Sequence, residues 1–165
     1  MKAIVAVDNN WGIGRNNQLL FSIPTDMKFF RQTTLNKVVV MGANTLKSFP
    51  NASPLKNRTN VVLSTTIKRD DCVVFDSKEK LLNFIGSLNS DDVFVIGGAK
   101  VYSELLDYCD EVLVTKVFAN GDADVFFPNL DKMSNWKMVL SSLEQVDNGY
   151  SFAFTTYINN KVKKI

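Results

Sequence analysis

Short apolar runs recur along the first two thirds of the chain, spaced widely enough for a helix to fit between most of them. Lys2-Ala3-Ile4-Val5-Ala6-Val7 is brief and β-branched, the pattern of a buried strand. Comparable runs follow at residues 37–41, 60–63, 72–75, 92–96 and 111–117. Between them the apolar spacing turns helical. Pro24 suits a first helical turn and opens a segment running to Thr33-Thr34. A short helix follows Gly42 through Ser48, and Ser77 caps another whose apolar stripe is Leu81, Leu82, Phe84, Ile85 and Leu88. A fourth follows Gly97-Gly98-Ala99-Lys100 through Leu106. The last third has no helical pattern, and residues 138–146 and 152–158 read as a hairpin around Asn148-Gly149. Strands alternating with helices predict an α/β fold with a mostly parallel central sheet of about eight strands, about four flanking helices and an antiparallel C-terminal hairpin. No repeat, low-complexity tract or linker interrupts the pattern, so residues 1–165 are expected to form one domain.

Composition narrows the function. A chain of 165 residues, 45% hydrophobic and 22% charged, is ordinary for a globular domain with a real core. Its 19 basic and 17 acidic residues leave a net charge of +2 with no dense basic stripe, so no nucleic-acid partner is expected. The cluster of Lys161, Lys163 and Lys164 reads as a solvated tail. No apolar run approaches a membrane span, and Met1-Lys2-Ala3-Ile4 leads straight into a strand pattern, so a cytoplasmic protein is expected. The chain has no histidine, which removes Ser-His-Asp and Cys-His sites and the two-histidine zinc motif together. Cys72 and Cys109 are isolated in apolar segments and read as buried free thiols, and no metal site is expected. An enzyme of this composition draws its hard chemistry from a bound organic cofactor.

Ligands of open α/β sheets bind at the carboxyl ends of the strands. Met41-Gly42-Ala43-Asn44-Thr45 and Ile96-Gly97-Gly98-Ala99-Lys100 both read strand, glycine, helix start, a combination that suits phosphate. A purely steric use of glycine remains open for each, and neither matches the dinucleotide fingerprint of three spaced glycines. Ser64-Thr65-Thr66 ends another strand with uncharged hydroxyls, for which Lys100 is the nearest cation by topology. Arg58 stands either as a carboxylate clamp or as a solvated cation at a strand edge. The polar loop Asp8–Asn17 holds Trp11 and Ile13, which suggests a loop that packs onto something, although an anchored surface loop has the same pattern. Asp26 shares a helix face with Ile23, Phe29 and Phe30. It is either an acid favoured by the helix dipole or a desolvated acid awaiting a ligand.

In order along the chain stand Gly12-Ile13-Gly14, Ile23-Pro24-Thr25-Asp26-Met27-Lys28-Phe29-Phe30, Thr34-Leu35-Asn36-Lys37, Val40-Met41-Gly42 with Thr45, Pro54-Leu55 with Arg58 and Asn60, Ile96-Gly97-Gly98 with Tyr102, and Asp124 with Phe127-Pro128. With these motifs the chain resembles the chromosomal bacterial dihydrofolate reductases over nearly its full length. The resemblance implies a monomer of dihydrofolate reductase fold that uses NADPH to reduce 7,8-dihydrofolate to 5,6,7,8-tetrahydrofolate for one-carbon metabolism, and that binds antifolates. Asp26 would be the catalytic acid, the only ionisable side chain on the pterin. Val5, Ala6, Met27, Phe30, Phe49, Leu55, Ile96, Tyr102 and Thr115 would surround the pterin and benzoyl groups, with Arg58 on the glutamate carboxylate. Ala6, Ile13, Leu19, Gly42, Asn44, Thr45, Ser64, Thr65, Gly97, Gly98, Ala99, Lys100 and Val101 would hold the cofactor. The loop from Asn9 to Leu20 corresponds to the family's mobile lid, supported through Gly14 and Asp124, and the Gly97–Gly98 peptide would be cis.

Three departures from the family pattern bear on chemistry. Phe21 replaces a usual tryptophan near the pterin, and Ala43 replaces an arginine that many members place by the cofactor's 2′-phosphate. Lys100, Ser64 and Thr65 are expected to keep an NADPH preference of reduced margin. Residues 50–57 differ slightly in length from the family pattern. A riboflavin-pathway pyrimidine reductase shares this architecture and cofactor, but the helix acid with Phe30 and Arg58 favours folate. A non-catalytic nucleotide-binding module would need the phosphate junctions without Asp26.

Overall fold

Continuous β-branched strands need cover on both faces, and the chain meets this need by setting them in the middle of a nine-stranded sheet. The computed structural model covers Met1–Ile165. In chain order the elements are β1 (Lys2–Val7), β2 (Gly12–Gly14), α1 (Pro24–Thr34), β3 (Val38–Gly42), α2 (Ala43–Ser48), β4 (Thr59–Leu63), β5 (Val73–Phe75), α3 (Lys78–Gly86), β6 (Val93–Gly97), α4 (Ala99–Leu105), β7 (Glu111–Val117), β8 (Val125–Phe126), β9 (Trp136–Ser141), β10 (Gln145–Asp147) and β11 (Tyr150–Asn159). The sheet order is β10-β11-β7-β1-β6-β3-β4-β5, with β9 also paired to β11. From β7 through β1 to β5 every pairing is parallel, while β11 runs antiparallel to β7, β9 and β10.

Alternation along the strands divides the core in two. Val40, Val61 and Val95 point to one face, where Leu81, Ile85 and Leu105 cover them. Val39, Met41 and Val62 point to the other and pack on Leu46, with Phe49, Leu55 and Ile96 around them. The expected stripe of α3 is core at Leu81, Leu82 and Ile85, and Phe84 and Leu88 pack at its edge.

Three features depart from the expected pattern. The loop after β1 contains β2, which pairs with β8 as a separate two-stranded sheet. Gly-Ile-Gly is a poor strand former, so the partner strand makes this element. The run at 138–146 is two strands, because residues 142–144 span only Ala153 and Phe154 of β11, with the Ser142 N–H donating to the Phe154 carbonyl at 2.8 Å and its hydroxyl accepting the Phe154 N–H at 2.9 Å. Cys72 is half-exposed instead of buried, while Cys109 is fully buried.

The hairpin turn lies where the sequence places it, with Asp147 paired to Tyr150 across Asn148 and Gly149. Both turn residues have positive φ, 49° and 80°. A Cβ on Gly149 would meet nothing within 4 Å, so any penalty there is conformational. Gly149→Ala is expected to lower unfolding free energy by about 1 kcal/mol in a denaturant titration, with the fold unchanged.

Candidate active site

Helix α1 starts at Pro24 without a side-chain cap from its own N-cap residue, Ile23. Asp147 at the end of β10 caps it instead, accepting the Thr25 N–H at 2.8 Å and the Thr25 hydroxyl at 2.7 Å. These bonds hold the Asp147 carboxyl below the usual carboxylate range. Asn148 donates from Nδ2 to the carbonyl of Ser22 at 2.7 Å. The helix start is thus fixed to the C-terminal hairpin one residue before Asp26.

Asp26, in the first turn of α1, is half-buried and faces β7. Its Oδ1 accepts a hydrogen bond from the hydroxyl of Thr115 at 2.7 Å, and Thr115, 2% exposed, sits opposite Ala6 in the β1–β7 ladder. Burial pushes the Asp26 carboxyl above its usual value, with the Thr115 bond pulling the other way. No lysine or arginine forms an ion pair with it. Asp26 is thus both a first-turn acid of α1 and a partly desolvated one. Nearby, Phe21 tilts against Tyr150 with ring centroids 4.9 Å apart.

The glycine junctions are neighbours, because Met41 pairs with Gly97 in the β3–β6 ladder. Neither α2 nor α4 is capped by a side chain. The Thr45 hydroxyl lies within 3.6 Å of Cβ positions built on Gly97 and Gly98. The Gly97–Gly98 peptide is cis. Beside these junctions a cleft of about 430 Å³ is lined by Ser64, Thr65, Ser77, Lys78, Lys100 and Val101, among others. Hydroxyls and two ammonium groups in one cleft supply donors that a phosphate monoester needs, and they share it with two carboxylates, Asp76, paired with Lys80 at 2.9 Å, and Glu104. Ser77 and Lys78 were not among the expected cofactor residues. Ser77 reads as a helix cap, which it is, since its Oγ accepts the Lys80 N–H, and nothing in sequence places α3 beside Lys100.

At the far end, Arg58 is half-buried, donating from Nε to the Lys56 carbonyl at 2.9 Å and from Nη1 to the Thr34 hydroxyl at 3.3 Å. Burial, and then the charge of Arg31, lower the pKa of its guanidinium. Buried Asn60 fixes the preceding loop, bonding both the N–H and the carbonyl of Leu55 at 2.9 Å and the Arg58 carbonyl at 3.1 Å. Asn60 appears in the sequence motif, but its positioning role emerges only from these bonds.

Other expected site residues divide by exposure. Val5 is buried, Ala6, Phe30, Phe49, Leu55 and Ile96 are half-buried, and Asn44 is exposed on α2. Met27 and Leu19 stand 59% and 80% exposed, so both have apolar surface to give to a ligand. Tyr102 is buried, its hydroxyl donating to the Ile4 carbonyl at 2.7 Å, and burial raises its pKa. It serves here as a packed wall with no free hydroxyl. Ile13 packs at the core edge, and two hydrogen bonds join its loop to Asp124: Asp124 N–H donates to the Gly14 carbonyl at 3.0 Å, and its Oδ2 accepts the Asn16 N–H at 3.1 Å.

Paired junctions, a cleft with hydroxyls and two lysines, and one desolvated acid along the same sheet edge are the parts of an α/β enzyme that works with a phosphorylated organic cofactor. Comparison with known proteins gives the particular family. The dihydrofolate reductase profile matches residues 1–159. A dihydrofolate reductase of Bacillus subtilis is 34% identical over 158 residues, covering 93% of this chain and 91% of that one. One of Haemophilus influenzae is 34% identical over 154 residues, covering 92% and 93%. A solved dihydrofolate reductase from Enterococcus faecalis, complexed with NADP(H) and RAB-propyl, superposes with a TM-score of 0.83 at 32% identity, covering 96% of this chain and 95% of that one. The chain belongs to the dihydrofolate reductase family and is an NADPH-dependent oxidoreductase.

Proposed function

We propose that this chain reduces 7,8-dihydrofolate to tetrahydrofolate, with Asp26 as the acid that orients and polarises the pterin. The carrying observation is Asp26 itself, a carboxyl raised by burial, held by one hydroxyl and without a cation. A pterin edge offers an amino group and a ring N–H, the donors that this carboxylate lacks. By favouring protonation of the bound ring, Asp26 makes its carbon a better hydride acceptor. NADPH, when bound, supplies the hydride.

The chain's own residues bind and orient the two molecules. Val5, Ala6, Met27, Phe30, Phe49, Leu55, Ile96, Tyr102 and Thr115 form the substrate side, and Arg58 clamps a carboxylate at its far end. Ala6, Ile13, Leu19, Gly42, Asn44, Thr45 and residues 97–101 form the cofactor side. Ser64, Thr65 and Lys100, joined by Ser77 and Lys78, receive the phosphate that distinguishes NADPH from NADH. The loop from Asn9 to Leu20, supported at Gly14 and Asp124, closes over the site and excludes water. The whole chain acts as one reductase domain, a cytoplasmic monomer whose partners are dihydrofolate and antifolates, with no nucleic acid involved. No helix is long and apolar enough to cross a membrane.

The test is spectrophotometric: NADPH oxidation that depends on added dihydrofolate supports the reading, and none at any pH from acid to alkaline defeats it. For the phosphate cleft, Lys78→Ala and Lys100→Ala are each expected to shrink the ratio of kcat/KM for NADPH over NADH by about tenfold, the loss of one charge-assisted hydrogen bond. An unchanged ratio in both variants would remove these lysines from cofactor discrimination.

A further inference from the structure

Asp8, just beyond the end of β1, is 4% exposed and forms no ion pair. Its acceptors are filled by backbone from two separate loops. Oδ1 takes the N–H of Asn10 at 2.9 Å and of Gly12 at 2.7 Å, and Oδ2 takes the N–H of Gly121 at 3.0 Å. Gly121 lies 113 residues further along the chain, in the loop between β7 and β8. A buried carboxylate without a cation is tolerated where several N–H groups converge on it, and removing it strands them.

The surroundings make this a rigid joint. Asn9 N–H donates to the Ala119 carbonyl at 3.0 Å, and Phe127 N–H to the Trp11 carbonyl at 2.8 Å. A Cβ on Gly12 would lie 2.4 Å from the Ala123 Cβ and 2.9 Å from both Asp8 carboxylate oxygens, so the backbone must come this close for the bonds to form. The Trp11 ring stacks on Phe127 at 6.2 Å and meets Tyr157 edge-on at 5.8 Å. Asp124 answers from the opposite loop through Asn16 and Gly14. Each loop thus supplies one carboxylate that accepts an amide of the other. Asp124 is exposed and holds the arm, whereas Asp8 is buried and holds the root.

We infer that Asp8 is a positioning residue for hydride transfer, pinning the root of the 9–20 loop to the 118–124 loop so that closure over the cofactor starts from a fixed hinge. This rests on the loop's role as lid proposed above. Asp8 acts through the backbone of Asn10, Gly12 and Gly121.

The experiment uses the full chain with Asp8→Asn, whose amide keeps one acceptor but turns an NH₂ towards a backbone N–H. NADPH binding is followed by Trp fluorescence and hydride transfer by single-turnover kinetics. Expected are an NADPH dissociation constant raised about tenfold, hydride transfer slowed about tenfold, and a dihydrofolate KM within about twofold of wild type. Combined with Asp124→Asn, the loss should be smaller than the product of the single losses, because both act on one joint. A lowered Tm with cofactor binding and hydride transfer unchanged would make Asp8 merely structural and overturn the inference. Should Asp8→Asn fail to fold, hydrogen exchange in the wild type decides. The Gly12 and Gly121 amides should slow together when NADPH binds, and exchange indifferent to NADPH would overturn the hinge. An inactive wild type would defeat the reductase reading itself, whereas an active wild type matched by Asp8→Asn would defeat only the hinge.

Discussion

Asp26→Asn is expected to lower turnover by about 10²–10⁴-fold at neutral pH, the range for losing a positioned acid-base group. The amide fills the same space and still accepts from Thr115, but it cannot carry the negative charge that polarises a protonated ring. The deficit should narrow at acid pH, where solvent protonates the substrate more readily without help. Stability should move the opposite way. Burial raises the Asp26 carboxyl above 3.8, so between that value and the folded one the native state holds more protons than the unfolded chain. Stability from this group therefore falls as pH rises through the window and stays lower above it. The uncharged amide removes that penalty, so at neutral pH the variant should melt no lower than wild type. A pH profile of kcat beside a thermal melt checks both halves. Wild-type turnover in the variant would refute the catalytic role, and a collapse in Tm would mean that Asp26 serves the fold.

Local pattern revealed those parts of the molecule that local forces determine. β1 and β7 have the predicted ends, α1 starts at Pro24, and the turn at Asn148-Gly149 follows from residues that accept positive φ. The two glycine junctions were legible because the strand–glycine–helix order places both on one sheet edge. What sequence left out is contact between distant segments. β2 exists because β8 lies beside it, and Lys78 joins Lys100 in a cleft only after α3 and α4 have docked. The cap of α1 comes from Asp147, 122 residues from Thr25. Asp8 reads as the first polar residue after a strand, and nothing local distinguishes it from a wet turn acid. Phe21 shows a finer limit: its sequence reveals the missing indole N–H, but only the fold reveals that Tyr150 takes the ring.

Arg58→Gln is expected to raise the dihydrofolate KM by about 10–100-fold with kcat nearly unchanged, the opposite split from Asp26. Arg58 lies at the end of a rigid loop, fixed by Asn60 and by its own bonds to the Lys56 carbonyl and Thr34 hydroxyl. Those bonds use Nε and Nη1, leaving Nη2 and the remaining N–H of Nη1 for a ligand. Its charge is disfavoured by burial and by Arg31, and no carboxylate of this chain pairs with it, so an incoming anion offsets both. Such a contact forms as fully in the ground state as in the transition state, because the glutamate of the substrate is remote from the reacting carbon. Uniform binding of this kind lowers KM without accelerating the chemical step. The same reasoning supplies the control: a dihydropterin without the glutamate tail should be reduced equally well by wild type and Arg58→Gln. A variant that slows that truncated substrate too would place Arg58 in the support of α1 through Thr34, and its effect would then reach Asp26 by way of the helix.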